Sequence, residues 1–256
     1  MKLLVLFLIL TNASQAVTGL TPSIMLWGSE LSGSLKDSNG FANIKRESNV
    51  APGLSINLHF LGTSTRWEYQ PFSYSTKVNV ASNFSFDGST YQVGDQLDLE
   101  MDWKQYDLEF RMASFGWDRP DTGGFDAKFS TGIKLIKAGL TLSGTRGNGQ
   151  APKVQFDEKI PVPYLGVNAN LRLSGHWRLD SNVKYLDLSF DETSVKHHDW
   201  SIGLRYYTNP KSEKIGSFFM GWREQVFDLM VNKGAADESR LDLKQSGLHA
   251  SYQIHF

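Results

Sequence analysis

The chain closes with Leu248-His249-Ala250-Ser251-Tyr252-Gln253-Ile254-His255-Phe256, in which an apolar side chain stands at every second position. Histidine, serine and glutamine occupy the positions between them. Successive side chains of a β-strand point to opposite faces of a sheet, so this spacing predicts a strand with one apolar and one polar face. An amphipathic α-helix would need an apolar repeat of three to four residues instead.

The same alternation recurs through most of the chain. Four further segments follow it: Leu54–Phe60, Leu97–Trp103, Leu165–Leu173 and Trp200–Tyr206. After residue 16 we find neither a run of about 18 apolar residues nor a sustained helical stripe. We therefore predict an all-β chain.

Turn-forming residues divide the chain into ten predicted strands. These cover residues 22–35, 50–61, 64–85, 94–116, 123–144, 157–173, 176–190, 197–208, 215–232 and 239–256. The links after even-numbered strands are short, whereas most links after odd-numbered strands are longer and more polar, such as Lys36–Asn49 and Thr145–Phe156. Short turns at one end and longer loops at the other are typical of transmembrane β-barrels. Ten strands is the prediction, and eight is the alternative.

A soluble β-sandwich also alternates, so strand length and aromatic placement decide between the two folds. Soluble strands usually have about 5 or 6 residues, and most strands predicted here are longer. Aromatic residues lie near the ends of the apolar faces, as in interfacial girdles. In lipid, an open sheet edge would leave N–H and C=O groups unpaired at several kcal/mol each. We therefore predict one domain, residues 17–256, forming a closed antiparallel up-and-down transmembrane barrel with its apolar face outward.

The alternation also predicts the direction of individual side chains. The residues expected to face lipid are Leu97, Leu99, Met101, Leu165, Val167, Leu171, Ile202 and Leu204. Arg172 and Arg205 are expected to face the lumen. The alternation slips between Trp103 and Leu108, and again near Tyr185-Leu186. Each slip indicates either a β-bulge or the passage from the membrane band to a protruding rim.

Residues 1–16 have the pattern of a cleavable secretory signal peptide. Lys2 precedes an apolar run from Leu3 to Leu10, and Ser14-Gln15-Ala16 places small residues where a signal peptidase cleaves. The run is too short for a transmembrane helix, which needs about 20 residues.

Composition excludes several classes of function. Removing Lys2 lowers the Lys and Arg count from 26 to 25, against 27 Asp and Glu, so a basic surface for nucleic acid is not expected. The chain has no cysteine. Disulfides, a thiol nucleophile and thiolate metal sites are therefore excluded.

The final segment resembles the C-terminal insertion signal of bacterial outer-membrane proteins. Tyr252, Ile254 and Phe256 match that signal, whereas Ser251 stands where glycine is more usual. Together with the signal peptide and ten strands, the whole mature chain resembles small, largely uncharacterised, porin-like barrels of Gram-negative bacteria. The resemblance implies integration in the outer membrane with both termini periplasmic. It also implies contact with outer-membrane lipid and recognition by the barrel-assembly machinery through the last strand. It implies no activity, because fold does not fix function.

Two known kinds of barrel enzyme have catalytic residues of types that also occur in this sequence. Omptin-type proteases use an Asp pair with an Asp–His pair at the outer rim, and the comparable residues here are Asp98, Asp102, His197, His198 and Asp199. The Asp-x-His motif does not occur, so we interpret these residues as solvated rim positions. Lipid-modifying hydrolases use Ser with His, which Ser174-Gly175-His176 offers, but the predicted turn lies away from outer-leaflet lipid. We predict no catalytic residue, and we expect no metal or cofactor, since zinc-ligand spacing is missing.

Charged residues on the polar face are expected to form a network in the lumen. The predicted members are Arg66, Glu68, Glu109, Arg111, Asp126, Lys128, Arg172 and Arg205. A barrel of this size leaves little more room than side chains fill, so mixed charges should pair across the bore. The favoured hypothesis is a non-enzymatic outer-membrane barrel with a role in envelope structure or in ligand or loop interaction. A narrow channel for small molecules is the first alternative, and an outer-membrane hydrolase is the second.

Overall fold

The computed structural model describes residues 17–60, 63–119, 123–147, 149–190, 192–209, 216–232 and 238–256. The predicted signal peptide lies outside these residues. The described part of the chain is all β, and it contains no helix long and apolar enough to cross a bilayer.

Thirteen strands follow one another within the described residues. They are β1 Val17–Lys36, β2 Phe41–Phe60, β3 Thr63–Val80, β4 Phe84–Phe86, β5 Ser89–Tyr91, β6 Gln96–Arg119, β7 Gly123–Arg146, β8 Gly149–Gln150, β9 Val154–Arg172, β10 Trp177–Phe190, β11 Thr193–Tyr207, β12 Ser217–Val231 and β13 Ser239–Gln253. Strands β4 and β5 form a separate small hairpin, and β8 only extends the turn after β7.

The other ten strands form one closed barrel. Each pairs antiparallel with its neighbours in the chain, β1 pairs with β13, and the pairing of β6 with β7 completes the ring. The predicted ten-stranded antiparallel barrel is confirmed. We call the end where β1 begins and β13 finishes the terminal end, and the opposite end the distal end.

The predicted long loop at Lys36–Asn49 is wrong. A tight turn at the distal end joins β1 to β2, and the Asp37 side chain accepts hydrogen bonds from the backbone N–H groups of Asn39 and Gly40 at 2.8 and 2.6 Å. Strand β2 therefore begins at Phe41. Apart from Phe41, the outward side chains of its first residues are polar, so this segment looks like a loop in the sequence, although Ala42 and Ile44 are buried inside.

Strand β6 reverses the polarity of its two faces without changing its direction. Towards the distal end, Leu97, Leu99, Met101 and Trp103 point inward, and Asp98, Glu100, Asp102 and Lys104 point outward. Towards the terminal end, Gln105, Asp107 and Glu109 point inward, and Tyr106, Leu108 and Phe110 point outward. The pairing of β6 with β3 runs unbroken from Gln96 to Arg111, so no bulge accounts for the slip in the sequence.

The same reversal occurs in β12 and β13. Phe227, Leu241 and Leu243 fill the distal interior, whereas Arg223 and His249 lie inside nearer the terminal end. The barrel therefore has two sections. The belt section, next to the terminal end, has an apolar outside and a polar lumen; the distal section has a polar outside and an apolar interior, as in a soluble protein.

This division corrects part of the predicted side-chain directions. Leu97, Leu99 and Met101 do not face lipid; they are 2%, 0% and 2% exposed inside the distal section. The prediction failed because it extended the polarity of the belt section over the full strand. The other five predicted lipid-facing residues are exposed on the outside of the belt section: Leu165, Val167, Leu171, Ile202 and Leu204.

Candidate functional site

The centre of the lumen contains a group of buried charges, which we call the lumen network: Glu68, Asp107, Glu109, Lys134, Lys184, Asp199 and Arg223. Asp199 is the central residue of one half of this network. Its carboxylate accepts a hydrogen bond from Lys134 Nζ at 2.8 Å and two from Arg223, at 3.0 and 2.8 Å. Arg223 Nη1 also donates to Glu68 Oε1 at 2.7 Å, which ties β12 to β3 across the bore.

Lys184 organises the other half of the network. Its Nζ lies 2.7 Å from Asp107 Oδ2 and 3.4 Å from Glu109 Oε2. The Tyr164 hydroxyl donates to the second oxygen of Asp107 at 2.5 Å. Lys134 Nζ approaches Asp107 Oδ2 at 4.0 Å and joins the two halves.

These contacts connect distant strands through charges that water does not reach. Lys134, Glu109, Lys184 and Asp199 are all 2% exposed or less. Buried ions are tolerated only where opposite charges and hydrogen bonds compensate for lost hydration. Removing one member would leave its partners uncompensated, so the network acts as a unit that holds side chains from opposite walls together.

A pair of amides closes the bore just distal to the lumen network. The side chains of Gln105 and Gln225 exchange hydrogen bonds of 2.7 and 3.0 Å across the lumen. Gln70 stands opposite Gln105 in the β3–β6 register, and Gln245 stands opposite Gln225 in the β12–β13 register. All four glutamines are buried, and they mark the level at which the interior changes from polar to apolar.

Beyond the glutamines the distal interior is packed with apolar side chains. The rings of Trp27 and Phe72 pack edge-on with their centres 5.2 Å apart, and those of Trp103 and Phe227 pack in the same way with their centres 5.1 Å apart. Arg223 lies 4.8 Å from the centre of the Trp27 ring and so connects this apolar core to the charges below it.

One ion pair secures the distal rim. Arg146 donates to Asp95 from Nε at 2.9 Å and from Nη2 at 2.7 Å. These hydrogen bonds hold the pKa of the Asp95 carboxyl below its usual value. In the neighbouring hairpin, burial raises the pKa of Tyr91 to about 12.

The predicted network residues occupy the lumen, but most pair along their own strand. Arg66 contacts Glu68 at 2.8 Å, Arg111 contacts Glu109 at 3.2 Å, and Lys128 lies 3.9 Å from Asp126. Arg172 and Arg205 line a cavity nearer the terminal end.

Four residues that make contacts across the bore were missed by the sequence prediction: Asp107, Lys134, Gln105 and Gln225. The predicted residues Glu68 and Glu109 also reach distant strands, through Arg223 and Lys184. Lys134 stands within the apolar run Ile133-Lys134-Leu135-Ile136, which hides the alternation. Asp107 falls at the apparent slip in β6. An isolated lysine inside an apolar strand is the signal that could have identified Lys134 as a member of the lumen network.

A polar cavity of about 900 Å³ lies between the lumen network and the terminal end; we call it the vestibule. Arg205 donates to Asp180 at 2.5 Å and to Ser217 at 3.1 Å within it. The same polar contacts continue to His255, whose Nε2 lies 3.4 Å from Ser217 Oγ. Thr21 Oγ1 lies 3.2 Å from His255 Nδ1 and 3.5 Å from His59 Nε2.

The protease-like residues are not brought together. Asp98 and Asp102 stand on the exposed outer face of β6, with side chains 62% and 65% accessible. His197 and Asp199 lie inside the lumen at 1% exposure, and His198 points outward against Tyr185.

Ser174 and His176, the pair considered for a hydrolase, form hydrogen bonds to backbone groups at a turn. Ser174 Oγ accepts a hydrogen bond from the Trp177 backbone N–H at 3.2 Å, and His176 Nδ1 lies 2.8 Å from the carbonyl of Tyr207. In the described part of the chain, no group of three His, Asp or Glu side chains is arranged to hold a metal ion.

The predicted insertion-signal residues lie at the terminal end of the belt section. Tyr252 packs on Phe218 with ring centres 4.5 Å apart. Ile254 and Phe256 continue the pairing with β1 through backbone hydrogen bonds to Pro22 and Leu20. Their part in insertion stays a prediction.

Comparison with solved structures places this architecture among known barrels. The crystal structure of the outer-membrane protease OmpT from Escherichia coli aligns over 93% of this chain and 97% of its own, with a TM-score of 0.54 and 11% identity. The fold is that of an outer-membrane β-barrel. At this identity the likeness extends to the fold alone.

Two weaker similarities accompany it. The toluene transporter TodX of Pseudomonas putida aligns at 11% identity over 95% of this chain and 91% of its own, with a TM-score of 0.35. Neisserial surface protein A aligns at 11% identity over 92% and 97%, with a TM-score of 0.30. No protein-family model and no curated protein sequence matches this chain.

Proposed function

We propose that this protein is an integral outer-membrane barrel with a closed lumen and a non-catalytic role carried by its distal section. The observation that carries the proposal is the lumen network with the Gln105–Gln225 pair above it. Side chains from seven barrel strands meet there: Glu68 of β3, Asp107 of β6, Lys134 of β7, Tyr164 of β9, Lys184 of β10, Asp199 of β11 and Arg223 of β12.

The filled interior argues against passage of a hydrated solute. A conducting barrel needs a continuous water path, but here buried ion pairs, paired amides and an aromatic core follow one another along the axis. The narrow-channel alternative would require all three layers to move together.

The distal section supports a role at an exposed surface. Its outside is polar and its interior is packed like a soluble domain, so it forms a rigid platform beyond the apolar belt. Such a platform suits envelope structure or contact with a partner through the distal turns.

The proposal also includes the location and partners that the sequence implies. Outer-membrane lipid would contact the belt, the barrel-assembly machinery would recognise Tyr252, Ile254 and Phe256, and both termini would be periplasmic. Nucleic acid has no place in the proposal.

Planar-bilayer recording tests closure, with a water-filled porin reconstituted in parallel as the positive control. We expect no discrete conductance steps from the purified barrel. Regular unitary steps would overturn the proposal and favour the channel.

Surface labelling tests the orientation. With single cysteines in intact cells, we expect an impermeant maleimide to label Asn39→Cys, in the β1–β2 turn, and to spare Ser174→Cys, at the terminal end. The reverse pattern would overturn the proposed orientation.

Hydrolysis of basic peptides, phospholipid or lipid A by the purified barrel would favour the hydrolase.

A further inference from the structure

The outer face of the barrel carries a row of three lysines on neighbouring strands. In the strand registers, Lys104 of β6 stands opposite Lys137 of β7, which stands opposite Lys159 of β9. Trp103 and Gln105, on either side of Lys104, are buried inside the barrel, so the lysine row points outward. Like charges placed directly opposite one another destabilise a sheet. The row therefore contributes nothing favourable to the fold by itself.

The lysine row lies directly at the distal edge of the apolar belt. The next outward residue towards the terminal end is Tyr106 on β6, Leu135 on β7 and Pro161 on β9. Leu108 and Ile133 continue the apolar face beyond them. Lysine side chains at such an edge place their apolar stems along the belt and their ammonium groups in the polar layer. With the belt in a bilayer, the row would stand at the level of the lipid headgroups.

Other cations near this edge have a carboxylate partner on the next strand. Three such ion pairs, with their nitrogen-to-oxygen distances, are Lys244–Glu224 at 2.8 Å, Lys196–Asp187 at 3.4 Å and Arg46–Glu30 at 3.5 Å. The lysine row differs from them. Lys104 reaches Asp102 only at 4.0 Å, and Lys137 lies over the Tyr106 ring at 5.1 Å. Within the described strands, Lys159 forms no ion pair.

A groove of about 700 Å³ lies on the same outer face; we call it the outer groove. Its lining includes two cross-strand rows of three residues, Lys104, Lys137 and Lys159 nearer the belt and Asp102, Gly139 and Asp157 beyond them. Since Gly139 has no side chain, the groove is deepest between the two aspartates. Glu100 lines it as well, so three carboxylates match the three lysines in number.

The order of charges in the outer groove matches that of a zwitterionic phospholipid. In such a lipid the phosphate lies next to the acylglycerol, and the ammonium follows after a short linker. Lysine binds phosphate oxygens as a point charge, and carboxylates accept strong hydrogen bonds from an ammonium group. The two rows stand two strand residues apart, about 7 Å. A purely anionic headgroup would meet the lysines but would also face three carboxylates of its own sign.

We propose that the outer groove binds the headgroup of a phosphoethanolamine lipid. The lysine row holds the phosphate, and Asp102 and Asp157 receive the ammonium above Gly139. The inference rests on the proposed membrane location, because it needs the belt to lie in a bilayer, and it names one lipid for that contact.

Native mass spectrometry of the detergent-folded barrel tests the proposal by counting bound lipid molecules during a titration. The probe is dihexanoyl phosphatidylethanolamine, and dihexanoyl phosphatidylglycerol is the comparison lipid with a phosphate but no ammonium. One test variant carries Lys137→Gln and Lys159→Gln. The other is Gly139→Trp, which fills the groove without changing a charge; a Cβ at this position would come no closer than 3.6 Å to Asp102.

The matched control is Lys77→Gln on β3. Lys77 is an outward lysine of the distal section with a side chain 70% accessible, and it lies outside the lining of the outer groove. Circular dichroism of every variant checks that the barrel has folded.

We expect one saturable site for the ethanolamine lipid, weakened tenfold or more in both test variants and unchanged in Lys77→Gln. The glycerol lipid should bind wild type at least tenfold more weakly. Absence of a saturable site, equal binding by Gly139→Trp, or binding of the glycerol lipid as tight as that of the ethanolamine lipid would overturn the proposal. None of these results bears on lumen closure or orientation, which conductance and surface labelling test separately.

Discussion

Asp199 is the residue on which the lumen network depends most directly. Its carboxylate accepts hydrogen bonds from Lys134 Nζ and from Nε and Nη2 of Arg223, and the residue is 1% exposed. We expect Asp199→Ala to lower the free energy of unfolding by about 3–5 kcal/mol, since buried Lys134 would lose its 2.8 Å carboxylate partner and buried Arg223 would keep only Glu68. Urea unfolding of the detergent-folded barrel measures the change.

The matched control for this variant is Asp98→Ala. Asp98 forms an exposed ion pair with Lys77 at 3.8 Å, so its removal should cost less than about 1 kcal/mol. Equal losses from the two variants would show that the buried network contributes nothing beyond a surface pair.

The Asp95–Arg146 pair predicts a dependence on pH at the distal rim. Because the pKa of Asp95 is lowered in the fold, its contribution is present above the ordinary Asp value of about 3.9 and disappears as the pH falls through the lowered pKa. We expect the difference in unfolding free energy between wild type and Asp95→Asn to stay constant down to about pH 4 and to shrink below it. A difference that already shrinks near neutral pH would contradict the assignment.

At the scale of single residues, the sequence predicted which charged side chains point into the lumen but not which of them form ion pairs with each other. Arg66, Glu68, Glu109 and Arg111 lie in the lumen as alternation indicates. The choice of partner across the bore depends on the shear of the closed barrel, which no single strand encodes. For that reason Lys134 and Asp199, on strands far apart in the chain, could not be paired in advance.

At the scale of the strand, the reversal of polarity within β6 carries the main structural information. Leu99 and Glu100 are neighbours in sequence but lie inside and outside the distal section. We expect Leu99→Ala to cost about 2–5 kcal/mol, as buried leucine truncations do. The paired variant Glu100→Ala should change stability by no more than about 0.5 kcal/mol. Both are measured by urea unfolding, and a neutral Leu99→Ala would restore the lipid-facing assignment.

In the belt section the outer face is apolar and the inner face is polar, so an added charge should be costly outside and tolerated inside. Leu204 is 45% exposed on the outside of β11, and Ser201 lies inside the barrel opposite Arg223 in the β11–β12 register. Arginine on a lipid-facing position near the bilayer midplane costs roughly 2–4 kcal/mol. We expect Leu204→Arg to reduce the yield of folding into vesicles well below that of Ser201→Arg, and equal yields would contradict the outward assignment.

At the scale of the whole molecule, ten strands, antiparallel order and closure were predictable because each follows from alternation and the cost of an open edge. The two-section interior was not. The apparent slip between Trp103 and Leu108 pointed to it, but the sequence alone left a bulge equally open. The unbroken β3–β6 register decides for a strand that leaves the apolar belt and continues as part of a water-facing structure.

Cysteine scanning of the outer face of β6 tests this two-section account most directly, because the chain has no cysteine of its own. The variants are Glu100→Cys, Asp102→Cys, Leu108→Cys and Phe110→Cys, reconstituted in lipid vesicles and exposed to a water-soluble maleimide. The account predicts rapid labelling of the first two and protection of the last two until the barrel is unfolded. Labelling of Phe110→Cys as fast as Glu100→Cys, or protection of Glu100→Cys, would contradict it.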